Sequence, residues 1–503
     1  MSDLDEGNDE SGERTSSVRW AVGSLALSML LSSLGTSIAN VALPTLTNAF
    51  AVSFQEVQWV VLSYLLAITV LIVSAGRLGD VLGHRRVLLA GIAVFTVASI
   101  LCGVAPTLWM LIAARILQGV GAAVLMALTM ALVRETVPAA RTGRAMGLLG
   151  TMSAAGTALG PSLGGILIAG PGWQAIFLVM APLGIVNFLL AHRHLPVDRQ
   201  KPKLDRQKAK VGRSGRSGWR RRSGRSSWSG FDGLGTLLLG LTLASYALAV
   251  TVGGGRFDRL NVALLSAAAV GVCLFVRAEA RAASPLIRLA AFRNVVLSTG
   301  LAMNVLVATV MMTTLVVGPF YLSGGLGLNE ALVGIVMSSG PVISALSGVP
   351  AGRVVDRLGA PFMVVAGLVA MAAGCVALST LPAIWGLVGY VAALAVLTPG
   401  YQLFLATNNT AVMMDVHPDQ RGVISGILGL SRNLGLITGA SVMGAVFAFA
   451  SAAGDITTAG SEAVATGMRI TFAVSAVLIV VAVVLSVGSR AFSTRPSPVG
   501  EPS

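Results

Sequence analysis

The sequence predicts an all-α polytopic membrane protein of fourteen transmembrane helices, arranged as two six-helix bundles with two additional helices between them. Three observations carry that prediction. Of the 503 residues, 55% are hydrophobic and only 11% charged, and the mean hydropathy is strongly positive, which lies outside the range of soluble globular chains. Apolar runs recur along the whole length, each near the roughly 20 residues that a spanning helix needs. Basic residues gather on one side of those runs.

The first 19 residues form an acidic tail with neither a basic stretch nor a short apolar core, so they do not read as a cleavable signal peptide. Six apolar runs follow, at residues 20–43, 57–77, 87–105, 107–133, 145–169 and 173–191, within a first bundle of residues 20–191. Residues 192–230 carry thirteen Lys and Arg against Asp198 and Asp205 in a Gly- and Ser-rich setting, the composition of a flexible basic linker. Two further runs at 233–252 and 260–277 occupy the segment 231–294. A second set of six at 295–322, 331–351, 361–380, 383–411, 422–450 and 468–489 makes a bundle of residues 295–489, before a tail of residues 490–503.

Orientation follows from the positive-inside rule. Arg85 and Arg86, Arg134 and Arg141, the linker, Arg277 and Arg281, Arg353 and Arg357, Arg421 and Arg490 fall on one side. The loops near Val52, Pro106, Pro171, Gly325 and Pro382 hold no Lys or Arg, and only the loop with Arg256 and Arg259 departs. The expected placement is the cell (inner) membrane with both termini cytoplasmic.

The two sets of six share a fragment. GRLGDVLG at Gly76 to Gly83 recurs as GRVVDRLG at Gly352 to Gly359, each just after the second run of its set, which points to a duplicated bundle. Transporter folds are built from such repeats, with the substrate site at their interface.

Three stretches carry chemistry. In GRLGDVLGHRR the acid Asp80 stands amid Arg77, Arg85 and Arg86, where it can pair with an arginine, meet the positive N-terminus of a helix, or simply belong to a charged loop that fixes topology. In LIAARILQGVGAA, Arg115 lies about 12 Å into the membrane at 1.5 Å per residue. A charge there must face a partner or a wet cavity. Gln118 at i+3 shares its face, and Gly119 follows. In GLLGTMSAAGTALGPSLGG, Gly147, Gly156, Gly160, Pro161, Gly164 and Gly165 form a small-residue face for close helix packing, with Pro161 able to kink the helix.

Other classes lack their parts. There is no phosphate-binding GxxxxGK[ST] loop for an ATP-driven pump. No His or Asp falls inside a run to build an enzyme centre or a metal site, and no charged ring or filter segment marks a channel. Cys102, Cys273 and Cys375 lie far apart in apolar runs and read as packing residues. The net charge of +14 is concentrated in the linker, so it does not point to nucleic acid. Neither a cofactor nor an obligate partner subunit is expected, and the chain reads as a monomer.

The three stretches resemble motifs A, B and C of the major facilitator superfamily, and the third matches the antiporter signature of that group without a gap. SLGTSIANVALP at Ser33 to Pro44, QWVVLSYLL at Gln58 to Leu66 and GWQAIFLVMAPLG at Gly172 to Gly184 are similar to its fourteen-helix drug:proton antiporters. The resemblance covers nearly the whole chain outside the linker and tails. It implies a major facilitator fold and proton-coupled export of small organic molecules. It further implies a coupling role for Arg115, a gate latch at Asp80 with its repeat at Asp356, and a flexing interface at Gly147 to Gly165. One residue departs from the pattern: Gly35 stands where members carry an Asp tied to coupling or cation recognition. Within the class, export of one endogenous metabolite is the alternative to broad drug efflux.

Among ionisable groups, Glu56, Glu330 and Asp415 sit at run ends, whereas Arg432 lies about 16 Å deep in the thirteenth run. Arg432 reads either as a substrate contact or as structural glue with Asn433 or a carbonyl. Two deep arginines without a deep carboxylate favour an anionic, zwitterionic or neutral substrate over a dication. Asn40, Trp59, Tyr64, Asn304, Gln402 and Asn408 complete the candidates for lining a cavity, with Trp59 equally suited to the interfacial belt.

Overall fold

In a computed structural model of the chain, residues 3–196, 233–252, 258–281, 294–358, 360–414, 421–451 and 459–493 are described, and they contain helices, turns and loops but no strand. Residues 197–230 of the basic linker, the tail from 494 onward, Arg256, Asp415 and the side chains of Asp356 and of residues 3–17 lie outside the described residues.

The amino-terminal bundle consists of α1 (Asp3–Val41), α2 (Trp59–Leu82), α3 (His84–Gly103), α4 (Leu108–Thr136), α5 (Ala139–Ala169) and α6 (Met180–His194). Next come α7 (Gly233–Thr251) and α8 (Arg259–Arg281), packed as a hairpin. The carboxy-terminal bundle begins with α9 (Val295–Phe320) and α10 (Glu330–Met337 running on into Ser339–Leu358). It continues with the stretch Ala360–Met414, then α13 (Arg421–Thr438, extended through Gly439–Met443 and Gly444–Ala450) and α14 (Ser461–Ser493).

Ala360–Met414 holds two spans, not one. As a single straight helix its 51-residue apolar window would be about 77 Å long at 1.5 Å per residue, more than twice the hydrocarbon thickness of about 30 Å. Gly386 breaks it at φ 53 and ψ −125, a left-handed conformation that glycine adopts without strain, separating α11 (360–385) from α12 (387–414). The thirteen apolar segments among the described residues therefore supply fourteen spans.

Helix starts follow local capping chemistry. Ser53 and Glu56 form a capping box: the Glu56 amide donates to Ser53 Oγ at 3.3 Å and the Ser53 amide donates to Glu56 Oε2 at 2.9 Å. Thr107 caps α4, and Asn329 caps α10 by accepting from the Leu332 amide at 2.9 Å; such caps contribute about 1 kcal/mol each. The ends differ from the hydropathy reading where helices outrun the bilayer: α10 continues to Leu358 and α14 starts at Ser461.

Small residues set the close packing, because lipid offers no hydrophobic drive for one helix to bind another. α1 lies along α5 and α9 lies along α13, matching pairs in the two bundles. Gly435 and Gly439 of α13 press on Ala308 and Met312 of α9, where an added Cβ would stand 2.7 and 2.6 Å away. The bundles meet where α5 contacts α10 and where α2 contacts α13. α7 packs on α2 and α13, while α8 packs on α7. Only 17% of the α8 window is buried in protein, against 72% of the α1 window, which makes α8 the lipid-facing member of the hairpin.

Candidate functional site

Between the bundles lies a cavity of about 320 Å³, bounded by α5, α9, α10, α12 and α13. Its polar lining includes Ser153, Ser344, Tyr401, Gln402 and Arg432, with Thr157, Thr314, Tyr390 and Thr398 beside them, set among leucines and methionines. Gln402 Nε2 donates to the Ser344 carbonyl at 3.1 Å, tying α12 to α10. Arg432 carries the only charge among the described residues that line the cavity. With no carboxylate among the described lining residues, the chamber offers a guanidinium for an anionic group, apolar surface for a ring system, and hydroxyls for orientation.

One end of this cavity is sealed by glycine contacts and aromatic wedges. A Cβ on Gly165 of α5 would stand 2.7 Å from the Glu330 carbonyl and 2.7 Å from Gly334 Cα of α10, so the two backbones touch across the bundles. A Cβ on Gly334 would stand 2.6 Å from the Pro161 carbonyl. Phe54 sits edge-on to Phe320 at 4.7 Å between centroids and to Phe447 at 5.7 Å. This seal lies at the end away from the arginine-rich loops. Gly156, Gly160 and Gly164 face the other way, against α1: Cβ atoms there would meet the Leu30 carbonyl at 2.5 Å, Ser37 Oγ, and Val41 Cγ1 at 2.6 Å. The glycine array thus serves two contacts, one within the bundle and one between bundles. Gly147 lies on the same helix, but its surroundings are outside the described residues.

Arg115 is fully buried inside the amino-terminal bundle. Its Nε donates to the Val60 carbonyl at 2.9 Å and its Nη1 to Gln118 Oε1 at 2.6 Å. The guanidinium lies 4.1 Å from the centroid of the Tyr64 ring, a cation–π contact, and Phe177 stands 5.8 Å away. Nη2 has no hydrogen-bond partner among the described residues. Gln118 in turn donates from Nε2 to Ser99 Oγ at 2.8 Å. Gly119 lets α4 approach α2, where a Cβ would stand 2.7 Å from Ala67 Cβ. The Tyr64 hydroxyl donates to the Ser32 carbonyl at 2.8 Å, and a Cβ on Gly35 would stand 2.8 Å from that hydroxyl oxygen. Tyr64 therefore fills the space that a side chain at Gly35 would need.

At the arginine-rich end, Gly83 turns α2 into α3 with φ 101, and His84 begins the new helix. His84 Nε2 lies 3.0 Å from Asp80 Oδ1 and Nδ1 lies 2.8 Å from Glu135 Oε1 of α4. Both ring nitrogens donate only in the imidazolium form. Arg85 donates to the His192 carbonyl of α6, and Arg77 and Arg86 flank the same turn. The contacts of Asp356, the repeat of Asp80, lie outside the described residues.

The seven polar residues offered as candidates for lining a cavity are not all on this one. Gln402 and Arg432 line it; the other five bond to neighbouring helices or to their own backbone. Asn304 Nδ2 donates to the Leu428 carbonyl at 3.0 Å and to Ser431 Oγ at 2.8 Å, joining α9 to α13. Asn408 Nδ2 donates to the Gly300 carbonyl at 3.3 Å. Asn40 donates to the Thr36 carbonyl of its own helix at 3.0 Å. Trp59 donates to Thr251 Oγ1 of α7 at 3.1 Å, and Tyr64 supports Arg115. Buried amides in lipid-embedded protein bond to backbone because no water is there to do so. The reading overlooked Ser153, Ser344 and Tyr401 on the cavity wall, and the partnership of His84, whose i+4 spacing from Asp80 was the available signal.

Comparison with known proteins agrees with this architecture. The Major Facilitator Superfamily profile matches residues 25–440 and 300–503. The riboflavin transporter RibZ of Clostridioides difficile is 30% identical over 424 residues, covering 84% of this chain and 87% of RibZ. Multidrug resistance protein Stp of Mycobacterium tuberculosis is 31% identical over 428 residues, covering 84% of this chain and 74% of Stp. The crystal structure of a bacterial homolog of the human lysosomal transporter Spinster matches with a TM-score of 0.64 over 96% of this chain and 99% of that one, at 14% identity, a likeness of fold.

Proposed function

The chain belongs to the Major Facilitator Superfamily, and from that premise we propose that it exports small organic molecules by alternating access to the cavity between its bundles. It is a multi-pass membrane protein and a secondary exporter of the drug efflux class, similar to Stp, which is named for multidrug resistance, and to the multidrug efflux pump LfrA of Mycolicibacterium smegmatis. The arginine-rich loops face the cytoplasm of the inner membrane, with both termini on that side, as the positive-inside rule favours. Closure at the far end by Gly165 on Gly334 then describes the state open toward the cytoplasm. Arg115 and its cage brace the bundle wall as it rocks, and Asp80 latches the cytoplasmic side in the opposite state.

The observation that carries the substrate class is Arg432, a lone guanidinium in a cavity without a carboxylate among its described lining residues. A substrate with an anionic or strongly polar acceptor group gains a charge-assisted hydrogen bond there, whereas a cation meets repulsion. Proton coupling is the energy source the family resemblance implies. With Gly35 in place of an acid, the acids open to coupling are the peripheral Asp80 and Glu56. Transport into inverted vesicles, with an imposed proton gradient and again after an uncoupler, tests this. Uptake that survives collapse of the gradient contradicts proton antiport. Export of one endogenous metabolite is the second reading, with RibZ as a relative named for the transport of a single compound; a single accepted compound from a broad panel would select it.

A further inference from the structure

A second cavity opens on the lipid-facing side of the molecule, independent of the chamber between the bundles. It is a cleft of about 790 Å³ between α2, α4 and α7. Leu66, Val70, Ile112, Ile116 and Leu248 make its walls. Trp59, through its bond to Thr251 Oγ1, holds α7 at the distance that keeps the cleft open. Trp109 and Ile116 of α4 line the cleft and are exposed, so its open side faces hydrocarbon.

Among the polar groups on this surface, Ser63 Oγ and Glu56 Oε1 are each left without a hydrogen bond from the described residues. Ser63 Oγ is buried on the cleft wall and makes no hydrogen bond among the described residues, unlike Ser28 and Thr69, which donate to the carbonyls four residues earlier. Glu56 at the mouth is the only charged residue among the described lining. Its Oε2 accepts from the Ser53 amide and hydroxyl at 2.9 and 2.7 Å, which leaves Oε1 for a donor from outside. Seven positions separate Glu56 from Ser63, roughly 10 Å of helix at 1.5 Å per residue. That spacing is comparable with the reach from a phospholipid headgroup ammonium to its first ester carbonyl.

We propose that this cleft is a binding site for a phospholipid with a primary ammonium headgroup. The ammonium donates to Glu56 Oε1, Ser63 donates to an ester carbonyl, and one acyl chain fills the cleft between α4 and α7. Such a lipid would complete the wall that α2 and α4 place around Arg115 and would fasten the extra hairpin to the amino-terminal bundle. A quaternary choline headgroup has no N–H to give Glu56 and is the natural competitor.

Tryptophan quenching tests the proposal in the full chain. Trp59 is kept as sole reporter by changing Trp20, Trp109, Trp173, Trp219, Trp228 and Trp385 to Phe, and a parallel chain keeps only Trp109 at the exposed rim. Each is reconstituted in phosphatidylcholine bilayers doped with chain-brominated phosphatidylethanolamine or, at equal fraction, chain-brominated phosphatidylcholine. Trp59 should be quenched several-fold more by the ethanolamine lipid, and Glu56→Gln should erase the preference. Ser63→Leu should protect Trp59 while Trp109 stays quenched. Equal quenching of Trp59 by both lipids with Glu56 intact means ordinary boundary lipid and overturns the headgroup assignment. No quenching of Trp59 by either lipid overturns the site itself, and neither reading depends on transport activity.

Discussion

The guanidinium of Arg115 lies 4.1 Å from the centroid of the Tyr64 ring, within the amino-terminal bundle and away from the cavity lining. Its place as a brace between α2 and α4 follows from the bonds it makes, to Val60 of one helix and Gln118 of the other. Arg115→Met leaves the Val60 carbonyl and Gln118 Oε1 without that donor, at about 1–3 kcal/mol for each buried group left unpaired. The expected outcome is a lower Tm in detergent together with reduced export. Arg115→Lys, lacking the planar fork, should recover little of either.

Gly35 and Tyr64 compete for one space. Gly35→Ala should lower Tm by driving its Cβ toward the Tyr64 hydroxyl, 2.8 Å away in the native geometry. Tyr64→Phe removes that oxygen, so the double variant should be less destabilised than the sum of the two singles. A double-mutant cycle by thermal melting measures the difference.

Gly165→Val would insert a branched side chain where the α5 and α10 backbones touch. Closure of the sealed end should fail, and export should fall by an order of magnitude or more, about 1.4 kcal/mol per tenfold. A cysteine introduced at Ser323, beside that seal, should become more reactive to a polar thiol reagent added from the outer side. Unchanged reactivity would contradict the gate assignment.

His84 links Asp80 of α2 to Glu135 of α4. His84→Ala removes both contacts and should raise hydrogen exchange over residues 80–88, whereas His84→Arg, a permanent cation, should keep exchange nearer the native level. If the alanine variant exchanges like the native protein, the bridge is incidental.

Sequence made the span count legible because lipid forces every backbone group to be satisfied within a helix of bilayer length, and hydropathy records that demand directly. It also exposed the Arg115 and glycine stretches, since a charge or a run of glycines inside an apolar helix stands out. Helix rotation was not legible. Whether Asn304 or Gln402 faces the cavity depends on which neighbour each helix packs against, and an amide looks the same in sequence when it bonds a carbonyl on α13 as when it awaits a substrate. The turn between α11 and α12 lay within continuous apolar sequence and was marked only by Pro382 and Gly386.

Small organic molecules are proposed to pass through the cavity between the bundles with Arg432 as their charged contact. Initial rates for an anionic, a neutral and a cationic compound, measured in inverted vesicles with native protein and with Arg432→Gln at matched expression, test it most directly. Arg432→Gln should cost the anionic compound about tenfold in rate, about 1.4 kcal/mol, through loss of a charge-assisted hydrogen bond, with little change for the neutral one and any cation transport unchanged or improved. Equal rates for all three compounds in the two proteins would contradict it.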